Sequence, residues 1–194
     1  MFCRQCGNPS VFMIPKGDQR VRDVCSVCAH IHYENPKMVV GTLPLWQENG
    51  QDFVLLCRRA IEPRRGFWTL PAGFMENGET TCEGALRETQ EEAGAQAKLG
   101  QLLTVIEAKK SQQVHFFYLA QLLSPLFTPC PDETLEVKLF RQDEIPWNDI
   151  SFPTVETTLR YFFSQRRWFE VSLIPTAHLL PQPQGVGSNE KSEK

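Results

Sequence analysis

The chain contains no apolar run near the roughly 18 residues that a membrane-spanning helix requires. Its first residues, MFCRQCGNPS, also lack the charged-then-apolar order of a secretory leader. Neither sign of charge dominates: 20 Lys plus Arg stand against 23 Asp plus Glu, for a formal net charge of -3. That balance excludes a general attraction to nucleic acid or to an anionic membrane, so any polyanion must be bound locally. Internal repeats are absent as well. A cytoplasmic location is therefore expected, with no membrane partner and no nucleic-acid partner.

What is present fits a folded chain: 41% of residues are hydrophobic and 22% charged, over 194 residues. This length suggests one ordinary domain with a small appendage. Of the seven cysteines, Cys3, Cys6, Cys25 and Cys28 form two C-x2-C pairs separated by 18 residues. Without an export signal, such spacing points to metal binding rather than to disulfides; a dithiol redox site is the other use. Four thiolates fill a tetrahedron around Zn2+, and a segment of about 35 residues is too small to fold on apolar burial alone. The expectation is a structural zinc ribbon over residues 1–36, with His30 and His32 as surface residues or substitute ligands. Cys57, Cys82 and Cys130 read as buried or idle thiols.

After Asn35-Pro36 the texture changes to strand-like runs, Met38 to Leu45 and Phe53 to Arg59, joined by a turn around Glu48 to Gln51. Further strands are predicted at Phe67 to Leu70, Leu102 to Glu107, Val114 to Leu122 and Leu135 to Phe140. A helix is predicted between them, with Thr80 and Glu83 as a capping box and Gly94 as its C-terminal cap. A second helix is predicted from Val155 to about Arg167, and a disordered tail from Pro181.

On the first helix, Glu88, Glu91 and Glu92 are spaced three and four apart and so share one face. An acidic face can simply be solvated, or it can gather cations. The surrounding residues favour the second use, because the run GFMENGETTCEGALRETQEEAGA resembles the Nudix box, G-x5-E-x7-R-E-U-x-E-E-x-G-U. Gly73 in a loop, Glu79, Arg87, Glu88, Glu91, Glu92 and Gly94 are all in register; Thr89 and Ala95 stand where bulky apolar residues are usual.

The resemblance implies an α/β fold, the Nudix α/β/α sandwich with a mixed sheet, over residues 37–180 behind the ribbon, and a homodimer. It further implies hydrolysis of the pyrophosphate bond of a nucleoside diphosphate derivative. The ribbon resembles the subgroup acting on ADP-ribose, FAD or NADH. The NADH branch usually carries an SQPWPFPxS-like segment, and this chain has none. ADP-ribose or FAD is therefore expected first, yielding AMP, with NADH or a nucleoside triphosphate as the alternative.

Hard oxygen ligands suit Mg2+ or Mn2+, so Glu88, Glu91 and Glu92 are the expected ligands, with Glu79 and Arg87 orienting loop and helix. A further carboxylate is expected from Glu133 or Glu136; Glu136, just before the VKLF run, is favoured. Arg58, Arg59, Arg64 and Arg65 could fork onto phosphate oxygens or form a solvated face, and Arg58, Arg59 and Gly73 are the expected substrate contacts. The aromatics Trp68, Phe74, Phe116, Phe117, Tyr118 and Trp147 read as core, or one of them as a stacking partner. A different reading makes the ribbon a binding module on an inactive scaffold. Its charge argues against nucleic acid: Arg4, Lys16, Arg20 and Arg22 oppose Asp18, Asp23 and Glu34.

Overall fold

The computed structural model describes residues 1–164. The expected helix end near Arg167, the tail from Pro181 and the domain end at 180 lie outside these residues. In the N-terminal segment, β1 (Ser10–Met13), β2 (Arg22–Cys25) and β3 (Ile31–His32) form a small antiparallel sheet in that order. Only Pro15, Val24 and the cysteines Cys3 and Cys25 are buried apolar residues there. Such a segment needs a cross-link to hold its shape.

A seven-stranded mixed sheet follows. Its strands are β4 (Lys37–Glu48), β5 (Gln51–Arg59), β6 (Trp68–Thr69), β7 (Ala72–Phe74), β8 (Ala97–Ala108), β9 (Gln113–Leu122) and β10 (Thr134–Phe140). The main order is β10-β5-β4-β9-β8, with β6 on β5 and β7 on β4. The β4–β9 pair is parallel and the other pairs are antiparallel. The chain is thus α/β, with a mixed sheet behind an N-terminal cysteine cluster. No helix among the described residues is long and apolar enough to cross a membrane.

The near-continuous apolar run in β4 follows from burial on both faces. Leu43 and Leu45 enter a core with Val54, Leu56, Phe117 and, from helix α2 (Pro153–Ser164), Val155 and Leu159. On the other face, helix α1 (Thr81–Ala93) sets Ala85 against Val40 and Tyr118, and Ala93 against Leu55 and Cys57. Thr89, at a position where the motif usually has a bulky apolar residue, is fully buried against this face. Its hydroxyl lies 2.6 Å from that of Thr42 and donates to the Ala85 carbonyl at 2.7 Å. A satisfied polar pair therefore stands where apolar packing is usual.

Two expectations need correction. Gly73 is not in a loop: it lies in β7, paired with Val40, and three residues are too few to announce a strand in sequence. Strand β8 starts at Ala97, earlier than Leu102, because register breaks between Leu99 and Thr104 interrupt its alternation.

Candidate active site

Helix α1 begins where the capping box fixes it. Thr80 accepts from the Glu83 N–H at 3.2 Å, and Glu83 accepts from the Thr80 N–H at 2.8 Å. It ends at Gly94, whose φ of 61° is left-handed and whose N–H donates to the Gln90 carbonyl at 2.9 Å. A further tie is the 2.6 Å hydrogen bond between Thr81 and the Tyr118 hydroxyl on β9. The helix face carrying the glutamates is thus locked in rotation against the sheet.

Arg87 organises those glutamates. Its Nε and Nη2 donate to the two oxygens of Glu79 at 3.0 and 2.8 Å. Nη1 donates to Glu88 at 2.7 Å and Glu91 at 2.9 Å, and Nη2 also to the Phe74 carbonyl at 3.2 Å. All five guanidinium donors are used, a geometry that a lysine cannot reproduce. Arg87 and the Glu76 N–H together hold the Glu79 carboxyl below its ordinary pKa. Glu79 therefore anchors the loop before α1 to the helix.

Glu88 and Glu92 are each only 7% exposed, so their charge is costly without a cation. Burial raises the Glu88 carboxyl, with Arg87 opposing. Burial pushes the Glu92 carboxyl from 4.5 up to about 8, while an Ala72 N–H donating to it at 3.0 Å pulls the other way. Glu133 adds negative potential at both. A Cβ at Gly73 would collide with the Glu88 carboxylate, so only glycine lets β7 pass this close.

Glu88, Glu91, Glu92, Glu133, Arg59, Arg87 and Gly73 line one cavity of about 670 Å³. Hard carboxylate oxygens lining one cavity, with Glu88 and Glu92 buried, suit a divalent cation such as Mg2+. Glu136 and Arg58 lie elsewhere. They face each other across β10 and β5 as a half-exposed ion pair at 3.6 Å, and Arg58 also donates to the Gly66 carbonyl at 3.0 Å. Glu133 lies in the turn before β10, where its carbonyl accepts from the Ala60 N–H at 2.8 Å. Glu133, not Glu136, is thus the residue the fold brings to the glutamates.

Other lining residues, among them His115, Phe152 and Thr154, carry no local sequence signal. His115 shares a 3.0 Å hydrogen bond with Gln113, and burial lowers its pKa. Of the expected aromatics, Phe74 and Phe117 line the cavity. Trp68 instead packs edge-on against Phe140, and Trp147 lies under Arg160.

In the ribbon, the sulfurs of Cys3, Cys6, Cys25 and Cys28 lie within 4.8 Å of one another, with three pairs at 3.4 to 3.7 Å. A tetrahedral ZnS4 centre with bonds near 2.3 Å needs sulfurs roughly 3.8 Å apart. Backbone N–H groups of Gln5, Val27 and Cys28 point at Cys3 and Cys25 sulfurs at 3.4 Å, as expected for thiolates. The donor set fits zinc and leaves no open position. His30 and His32 stack edge-on on each other, outside this set.

A mixed sheet between two helices, with buried carboxylates on the first helix and a cysteine cluster in front, defines a protein of the α/β/α sandwich class with a carboxylate-lined cavity. Comparison with known proteins fixes the family: the pattern described as "NUDIX domain" matches residues 35–162 and that described as "Nudix N-terminal" matches residues 1–34. The chain belongs to the Nudix hydrolase family. The crystal structure of a NUDIX hydrolase from Nitrosomonas europaea superposes with a TM-score of 0.80 at 47% identity, covering 85% of this chain and 91% of that one. The NAD-capped RNA hydrolase NudC of Salmonella heidelberg (strain SL476) is 30% identical over 147 residues, 75% of this chain and 53% of its own. The 8-oxo-dGDP phosphatase NUDT18 of Homo sapiens is 46% identical over 71 residues, 37% of this chain and 22% of its own. The chain spans about half the length of NudC.

Proposed function

We propose that this protein hydrolyses the pyrophosphate bond of a nucleoside diphosphate derivative in the cytoplasm, with Mg2+ or Mn2+ held by Glu88, Glu91, Glu92 and Glu133. The observation that carries this reading is that those four carboxylates line one cavity. A divalent cation there supplies charge neutralisation for the diphosphate and a polarised water. Arg87 fixes the directions of Glu79, Glu88 and Glu91; the Ala72 N–H fixes that of Glu92. Arg59, on the same cavity, supplies a cation for phosphate oxygens. Zn2+ is structural in this reading.

ADP-ribose or FAD, releasing AMP, is the favoured substrate. A NAD-type dinucleotide is the second reading, supported by similarity to a NAD-capped RNA hydrolase despite the missing SQPWPFPxS-like segment. A homodimer belongs to the proposal and is checked by light scattering. The substrate test compares kcat/KM, with product masses, for ADP-ribose, FAD, NADH, 8-oxo-dGDP and nucleoside triphosphates. A dinucleotide-type preference with AMP released supports the reading. A triphosphate preferred by more than about tenfold, roughly 1.4 kcal/mol in transition-state binding, overturns the choice. Absence of turnover on every compound favours the ribbon as a binding module.

A further inference from the structure

The carboxylates leave a second part of the cavity unused. Register sets Phe74 on β7, Val39 on β4 and His115 on β9 in one row across three neighbouring strands, and all three line the cavity. The next row, Gly73, Val40 and Phe116, points the other way, toward α1, where the Glu88 carboxylate lies against Gly73. The row ending at His115 is therefore one residue along β7 from the glutamates. At about 670 Å³ the cavity has room for a drug-sized ligand and not for a diphosphate alone.

His115 is the one imidazole on this cavity among the described residues. Its Nε2 lies 3.0 Å from Gln113 Oε1, an atom that can only accept, so Nε2 carries the hydrogen and Nδ1 is left as an acceptor. Burial lowers the pKa of the ring, which is therefore neutral near pH 7. Nδ1 has no partner among the described residues, yet it is not one of the polar atoms sealed from solvent. Its accessible side opens on the cavity that the residue lines. Gln113 lines the same cavity and, with Oε1 spent on His115, has its Nε2 hydrogens free of any acceptor among the described residues. A histidine kept only for packing would have both ring nitrogens on protein partners or neither in a cavity.

Resting on the pyrophosphatase reading, we propose that His115 is a specificity-determining residue whose Nδ1 accepts a hydrogen bond from the amino group of adenine, while Gln113 fixes the imidazole tautomer and donates to a neighbouring ring nitrogen. One acceptor and one donor on two hydrogen-bonded side chains complement the adenine edge, which offers an amino group beside a ring nitrogen. Guanine and hypoxanthine carry a keto oxygen in place of that amino group. Two acceptors then meet, and the partly buried Nδ1 loses its water without gaining a partner. The glutamates and their cation hold a diphosphate of any origin, so the choice of an ADP-containing substrate falls to this pair.

The test uses full-length, zinc-replete protein with Mg2+. It compares kcat/KM for ADP-ribose or FAD, whichever turns over faster, with that for its hypoxanthine counterpart, and uses AMP and IMP as calorimetric probes. Wild type prefers the adenine compound by more than about tenfold and binds AMP more tightly than IMP. His115→Leu lowers kcat/KM for the adenine compound by about tenfold, mainly through KM, and brings the two substrates within about twofold of each other. His115→Asn, which keeps an acceptor near the Nδ1 position, recovers part of the preference. Equal kcat/KM of wild type for both compounds overturns the assignment, as does a His115→Leu protein that loses both equally or loses kcat in place of KM. If His115→Leu fails to fold by circular dichroism, Gln113→Met decides: a reduced preference supports the pair and an unchanged one overturns it. Failure of the underlying reading looks different, because wild type then hydrolyses no diphosphate; tighter binding of AMP than of IMP still supports the subsite, and equal binding overturns it.

Discussion

Glu92 makes the metal-free protein lose stability as pH rises. Its carboxyl goes from 4.5 to about 8 on burial, so between these values the folded state binds a proton that the unfolded state does not. A group raised in this way stabilises the fold fully below its unfolded pKa, and the contribution disappears as pH climbs through its folded pKa. From pH 5.5 to 8.5 the loss is about 3 kcal/mol at roughly 1.4 kcal/mol per tenfold change in proton affinity. For a chain of this size that is a fall of roughly 6–12 °C in Tm. Glu88 is shifted in the same direction, whereas His115, lowered by burial, acts oppositely at the acidic end.

The measurement that isolates Glu92 is the difference between wild type and Glu92→Gln. Tm is followed by differential scanning fluorimetry across this pH range, with and without Mg2+. Without Mg2+ the two curves diverge as pH rises, the variant becoming the more stable near pH 8.5. With Mg2+ the wild type recovers at high pH and the variant does not. Parallel curves in the metal-free state would refute the claim that Glu92 is buried at the cost of its charge.

Other consequences are testable with single substitutions. Thr89→Val leaves the buried Thr42 hydroxyl without a partner, at a cost of about 1–3 kcal/mol in urea unfolding, whereas Thr42→Val costs less because Thr89 keeps its bond to the Ala85 carbonyl; the double variant recovers much of the Thr89→Val loss, and additive losses would contradict the pairing. Arg87→Lys cannot reproduce the five donor contacts, so it lowers stability by about 2 kcal/mol and kcat by more than about tenfold; wild-type values for both would show that Arg87 is only a surface charge. Elemental analysis should find one zinc per chain, lost together with Tm in Cys25→Ser; unchanged metal content in that variant would remove Cys25 from the site.

The α1 region was legible because its signals are local. The capping box Thr80/Glu83, the glycine at 94 and the glutamate spacing all act within one helix, and the structure shows both caps. Which of the two candidate carboxylates meets the cavity was not legible: Glu136 lies opposite Arg58 on β5, whereas Glu133, in the turn before β10, lines the cavity together with Arg59. Gly73 was recognised as a motif position, but its role as a strand residue over which the Glu88 carboxylate lies depends on pairing with Val40, far away in sequence. Thr154 was equally hidden. Its segment reads as an ordinary helix start, and only the packing of α2 against the sheet turns that end toward the glutamates.

In the proposed function, the glutamates of α1 hold a divalent cation on which turnover depends. The most direct measurement titrates Mn2+ into zinc-replete protein, reading free Mn2+ by electron paramagnetic resonance and hydrolysis of the best substrate in the same samples. Glu91→Gln is the variant of choice, since Glu91 is the exposed member of the set and its loss leaves no buried gap. Bound Mn2+ and turnover are expected to rise together in wild type, and both to weaken by more than about tenfold, roughly 1.4 kcal/mol, in the variant. Undiminished turnover without any added divalent cation, or a Glu91→Gln protein that binds Mn2+ and turns over like wild type, would contradict it.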